Sequence, residues 1–174
     1  MTEQEDMERF TVELIPYSTD WPRKYANEKA LIESGALQSV AHEIEHIGST
    51  SVEGATAKPI VDIAVKLDAV SLVAGLVEPL EKLGYKYMEE FGLPGRHFFI
   101  KGNPRQFHLH IVDDTSEHWE RWIKFRDTLK QHPELLEEYL ALKAELAEKY
   151  HDKREKYTQA KSEFINSVLS DELY

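Results

Sequence analysis

The 174-residue chain is predicted to fold as an α+β (α/β two-layer) unit, a mixed β-sheet of about five strands followed by a C-terminal helical hairpin or trio. Three observations predict it. Short apolar segments with period-two alternation, bounded by glycine and proline, recur before residue 113. Beyond Thr115 the apolar spacing becomes helical throughout. One segment, residues 59–67, is nearly continuous in Ile60, Val61, Ile63, Ala64, Val65 and Leu67, the pattern of a strand covered on both faces, and carries one acid, Asp62.

Taken in order, residues 1–9 are expected to be a frayed tail and residues 10–17 a first strand, with Val12 and Leu14 alternating with Thr11 and Glu13 until Pro16 weakens its end. Asp20 is placed to cap a helix with Pro22 in its first turn and Tyr25, Ala26, Leu31 and Ile32 as its apolar stripe. A short strand carrying Ile44 and Ile47 then breaks at Gly48-Ser49-Thr50-Ser51, before the 59–67 strand. Residues 71–83 have helical spacing with Gly84 as the stop, and Pro79 inside predicts a kink or a split. Residues 85–91 and 96–101 read as a hairpin around Gly92, Pro94 and Gly95. Residues 106–112 follow, with Phe107, Leu109 and Ile111 on one face and Gln106, His108 and His110 on the other.

A helix with Trp119, Trp122, Ile123, Arg126 and Leu129 on one side ends at His132-Pro133. The next is expected to bury Leu136, Tyr139, Leu140, Leu146 and Tyr150, and a last one, about 153–169, Tyr157, Phe164, Ile165 and Val168. The length fits one domain over 1–174.

Composition narrows the function. A net charge of −11 argues against a broad nucleic-acid footprint, which needs clustered Lys and Arg. With no cysteine there is no thiol catalysis, disulfide or zinc-thiolate site. An acidic N-terminus and the lack of a long apolar run predict neither secretory signal nor membrane span, hence a cytoplasmic location.

The candidate chemistry sits where polar residues interrupt apolar strands. Asp62 must meet water, a cation or a donor, because an unpaired buried carboxylate costs several kcal/mol. The hydroxyls and amides of Ser49, Thr50 and Ser51 follow a glycine that permits a tight turn, so the segment is either an anion site or a plain turn. Lys58 stands just before the strand, where it adds charge to the same anion or is simply solvated. His108 and His110 project from one strand face, suiting a metal or a hydrogen-bonded polar cluster with Asp62. Arg96, His97, Lys101 and Arg105 form a modest basic group. Arg126 occupies a core-facing slot, as a brace to a carboxylate or a ligand contact. Tyr157 and Lys161, four apart, share a helix face.

The segment HIGSTSVEGATAKPIVDI resembles the hallmark of the GrpB family, whose fold is nucleotidyltransferase-like. The likeness extends to ELIPYSTDWPRKY, QFHLHIV, WIKFRDTLKQHPE, LKAELAEKY and KYTQAKSEFI. It implies that Gly48 and Ser49, with Thr50 and Lys58, hold the phosphate of a nucleotide or another phosphorylated small molecule, and that Asp62 holds metal. It raises Arg126, Tyr157 and Lys161 as ligand contacts. The fold's usual pair of strand acids is here Asp62 and Ala64, so the resemblance implies at most one divalent ion, with His108 and His110 as further ligands favouring Zn, Mn or Ni over Mg. Two functions follow from it. One is a nucleotidyl- or phosphoryl-transferase with Asp62 and His110 as catalytic groups; the other is an accessory binding module without turnover. An acid restored at position 64 is expected to strengthen Mg²⁺ binding.

Overall fold

The computed structural model describes residues 12–170. Its elements are α1 (Asp20–Gly35), β1 (His42–Ile47), a 3₁₀ turn (Ser49–Ser51), β2 (Val61–Leu67), a second 3₁₀ segment (Val70–Gly75), α2 (Val77–Lys82), β3 (Tyr85–Tyr87), β4 (His97–Lys101), β5 (Phe107–Asp113), α3 (Glu117–Gln131), α4 (Pro133–Lys149) and α5 (Arg154–Ser170). The sheet has five strands in the order β1-β2-β5-β4-β3. Only β2 and β5 run parallel; β1 with β2, β5 with β4 and β4 with β3 are antiparallel. This is the mixed α+β sheet with a C-terminal helical set that the patterning predicts.

Strand alternation divides the core. Val61, Ile63, Val65, Phe107, Leu109 and Ile111 share one face with Ile32 of α1 and Leu80 of α2. On the other face Ile47, Ala64 and Val112 lie under Trp119 of α3. The α3–α4 pair closes over the chain just after the Ser49–Ser51 turn, where Leu129 and Tyr139 pack on Val52 and Ala55. Among the described residues no helix is long and apolar enough to cross a membrane.

Four expectations change. The tail 1–9 and Phe10 and Thr11 lie outside the described residues, and what remains of the first strand is one bridge, Ile15 to Ala57. Val12 instead donates to the His151 carbonyl, and Pro16 has no donor to extend a ladder. In α1 the residue outside the first turn is Thr19, so Asp20 lies within it, where a negative charge suits the helix dipole. Its buried stripe is Trp21, Glu28 and Ile32, with Leu31 exposed. The polar member, Glu28, hid this stripe; it accepts from the Tyr85 hydroxyl at 2.9 Å and Lys101 Nζ at 2.6 Å.

The 71–83 helix splits at Gly75, not at Pro79, which falls in the first turn of α2 where its missing N–H costs nothing. Gly84 follows α2 with φ +96° as the expected stop. The 85–91 strand stops at Tyr87, because Glu89 and Phe91 take positive φ of 55° and 46° and turn the chain out of the sheet.

Leu129 is 2% exposed and ties α3 to the segment after the Ser49–Ser51 turn. Leu129→Ala is expected to cost about 2–5 kcal/mol, lowering the melting temperature by roughly 2–4 °C per kcal/mol, as read by calorimetry.

Candidate functional site

Asp62 lies near the start of β2, its register partners being Ile47 at the end of β1 and His108 on β5. Period-two alternation then puts Asp62, His108 and His110 on the same sheet face. His110 Nε2 is 2.9 Å and His108 Nδ1 3.4 Å from the same carboxylate oxygen, Oδ1. Burial pushes the Asp62 carboxyl up, but hydrogen bonds and charge from the two imidazoles outweigh it and hold the group well below the usual carboxylate range. Burial pulls the His108 imidazole below its ordinary value, opposed by Asp62.

The other carboxylate oxygen faces Gly48, where a Cβ would stand 2.8 Å from Oδ2. Gly48 has φ 73° and ψ −177°, a conformation essentially reserved for glycine. The residue is needed twice over, for its backbone angles and for the closeness of the acid.

The turn that follows spends most of its hydroxyls internally. Thr50, 1% exposed, bonds His46 Nε2 through Oγ1 at 2.9 Å, and Ser51 Oγ turns back to the Gly48 carbonyl. His46 stacks on Tyr25 with ring centroids 4.8 Å apart, and burial lowers its pKa to about 4, so it supports Thr50 as a neutral ring. Ser49 is the hydroxyl that remains, accepting from Lys143 Nζ at 2.9 Å.

Lys143 is the residue that sequence reading missed. It is 2% exposed, and its ammonium also donates to the Thr56 carbonyl. The signal was present in the spacing: Tyr139, Lys143 and Leu146 form the buried stripe of α4. Lys58 and Lys161 lie nearby, with Nζ 5.9 and 4.7 Å from the centroid of the Tyr157 ring. Tyr157 is wholly buried, and its hydroxyl has no hydrogen-bond partner among the described residues. Among the described residues, none of these three lysines forms an ion pair with a carboxylate. Burial first, then mutual repulsion with Lys161 and other cations, lowers Lys58 and Lys143 to about 7.

The remaining candidates separate from this group. Arg126 braces α3 to β1, donating to Glu45 at 2.7 Å, Asp127 at 2.9 Å and the His46 carbonyl at 3.0 Å. The basic hairpin group is split by alternation. Lys101 crosses to Glu28, His97 meets the Tyr87 hydroxyl, Arg96 turns to the Asp62 face, and Arg105 adds positive charge near Lys58.

A single divalent ion needs donors as compact as those of Asp62, His108 and His110, whose ligand atoms all lie within 4.8 Å of one another. Hydrogen bonding separates the three. Arg96 Nη1 stands 3.3 Å from His110 Nδ1, and a guanidinium only donates, so Nδ1 is the acceptor and Nε2 carries the hydrogen given to Asp62. That nitrogen has no lone pair to offer. His108, by contrast, faces the same oxygen through Nδ1 at 3.4 Å, and its Nε2 is buried with no hydrogen-bond partner among the described residues. Asp62 Oδ1 and His108 Nδ1, 3.4 Å apart, are the pair that an ion would use, and His110 Nε2 in this tautomer would offer it no lone pair. Position 64 cannot supply a replacement acid, since Ala64 is 0% exposed beneath Trp119.

The mixed sheet and its helices make a nucleotidyltransferase-like fold. Residues 11–171 match the family described as GrpB protein, and the chain belongs to that family. It is similar to the UPF0157 protein YqkA of Bacillus subtilis, 34% identical over 158 residues, covering 90% of this chain and 46% of that protein; the chain thus spans about half of that relative's length. The crystal structure of the conserved protein GrpB from Enterococcus faecalis superposes with a TM-score of 0.78 at 31% identity, covering 91% of this chain and all (100%) of that one. The Cid1 poly(U) polymerase, at TM-score 0.55 and 16% identity over 83% of this chain and 46% of that one, shares the fold.

Two substitutions test the frame of the site. Gly48→Ala is expected to destabilise by about 1–3 kcal/mol or more, from its backbone angles and the collision with Asp62. Ala64→Asp is expected to lower the melting temperature and leave Mg²⁺ affinity unimproved, because it buries a carboxylate under Trp119. Thermal melts with and without Mg²⁺ check both.

Proposed function

We propose that the chain binds a nucleotide or another phosphorylated small molecule, with a phosphate group among Lys58, Lys143, Lys161 and the Ser49 hydroxyl, beside Asp62. The observation that carries this reading is the lysine group. The sequence has 32 acidic and 21 basic residues, so surplus acid is abundant. Yet among the described residues these three cations converge near a turn without a carboxylate partner. Burying cations unpaired is costly, and a ligand phosphate removes the cost by supplying the counter-charge. The Ser49 oxygen already accepts from Lys143, which leaves its O–H to donate to a phosphate oxygen.

Lysines poised in this way take up protons when the anion arrives. Below pH 7 Lys58 and Lys143 are already charged and binding needs no proton; above it the free protein must gain them, so affinity falls as pH rises. Folding has the opposite sign. Depressed lysines weaken the fold below their lowered pKa, and the penalty fades as pH climbs toward the unfolded value.

Binding fits better than two-metal transfer, because among the described residues Asp62 is the one acid grouped with His108 and His110, Glu45 beside Ala64 is taken by Arg126, and Ala64 is sealed in the core. One divalent ion (Zn, Mn, Ni or Mg), held by Asp62 and His108, would neutralise ligand phosphate charge and polarise it. In this reading the protein works in the cytoplasm as a binding or accessory domain, and Mg²⁺-dependent nucleotidyl transfer is slow or absent.

The test is a thermal-shift and calorimetric panel of phosphate, ADP, nucleoside triphosphates and sugar phosphates without metal. A ligand at 100 times its Kd should stabilise by about 2.7 kcal/mol. For ADP, affinity is expected to fall roughly tenfold or more between pH 7.5 and 9, where the ligand's charge is constant. Lys143→Met and Lys161→Ala are each expected to weaken it about tenfold or more, and Lys143→Met to melt no lower than the parent, since it removes an unpaired buried cation. No shift across the whole panel would defeat the reading.

A further inference from the structure

Arg96 is half-buried, held between three groups that fix its direction. One terminal nitrogen, Nη2, donates to the carbonyls of Glu90 at 3.0 Å and Phe91 at 3.2 Å. The guanidinium carbon lies 4.5 Å from the Phe98 ring centroid. The other terminal nitrogen, Nη1, reaches His110 Nδ1 at 3.3 Å. The loop that supplies the two carbonyls holds Phe91 and Glu89 at positive φ, an unfavourable conformation for these residues and one that aims the loop backbone at the arginine.

From this geometry we propose that Arg96 is a positioning residue that excludes His110 from metal coordination, leaving a two-ligand site of Asp62 and His108. The reason is directional. A ligating His110 Nε2 needs its hydrogen on Nδ1, and ring nitrogens opposite a metal are ordinarily matched with an acceptor such as a carboxylate or carbonyl. Here Nδ1 faces a donor that cannot be deprotonated. Arg96 therefore stabilises the tautomer that donates to Asp62, and its positive charge disfavours a second cation nearby. Without it, the His110 ring is free to place its hydrogen on Nδ1, and Asp62, His108 and His110 become a three-ligand centre for a borderline transition ion such as Zn²⁺ or Ni²⁺.

The inference deepens the proposed function at the acid end of the site, and its test is independent of the lysine pocket, whose ADP affinity is measured without metal. Two readouts are used. Long-range ¹H–¹⁵N spectra of histidine-labelled protein at neutral pH should show His110 with its hydrogen on Nε2. Calorimetric titration with Zn²⁺, repeated with Ni²⁺, should show weak binding in the parent, at least tenfold tighter binding in Arg96→Met, and return to the parent level in Arg96→Met combined with His110→Asn. A gain that survives in the double variant is electrostatic alone and overturns the proposal, as does an unchanged affinity in folded Arg96→Met. Should Arg96→Met fail to fold, the parent spectrum decides: an Nδ1–H tautomer at His110 refutes the account.

Discussion

Most of the site exists to accommodate one carboxylate placed inside an apolar strand. Asp62 stands between Val61 and Ile63, both essentially inaccessible, and its charge must be met locally. One oxygen receives His110 and lies near His108, while the other takes the space that a side chain at position 48 would fill. Gly48 is thereby forced, and so is the sharp exit from β1 that carries Ser49 toward α4. Arg96 and the loop that holds it complete the chain by orienting His110. The Gly48–Ser51 turn and the acid are consequently one structural unit, and neither can be altered without the other.

The C-terminal helices bring cations that, among the described residues, have no carboxylate partner. Lys143 comes from α4 and Lys161 from α5, whereas Lys58 leads into β2, so the group forms only when the helices dock on the sheet. Docking rests on apolar contacts of Leu129, Tyr139 and Leu146 with Val52, Ala55 and Val12. These contacts hold the lysines together against their repulsion and against the loss of water. A lysine group of this kind costs stability by itself, and an anion bound there would restore it, a common relation between binding sites and their scaffolds.

Sequence reading recovers the parts governed by alternation and by strong punctuation. Asp62 interrupting an apolar run, His108 and His110 two apart, and the helix stop at His132-Pro133 all appear in the structure where the patterning places them. It fails where a polar side chain occupies a buried slot of a helical stripe. Glu28 and Lys143 both read as surface by residue type, although their spacing aligns them with Trp21 and Ile32, and with Tyr139 and Leu146. It also cannot assign partners: Thr50 belongs to His46 and Lys101 to Glu28, pairings that depend on which residues the sheet brings together. The short β3 is illegible for a further reason, since Glu89 and Phe91 adopt a backbone region that their chemistry does not favour.

The central claim is that the lysines of α4, α5 and the β2 entry share one phosphate with the turn at Ser49. A crystal structure of the protein grown with a nucleoside di- or triphosphate tests it most directly. The account predicts phosphate oxygens within hydrogen-bond distance of Ser49 Oγ and of at least two of Lys58, Lys143 and Lys161. A phosphate bound elsewhere, with the three lysines left as they are, would contradict it.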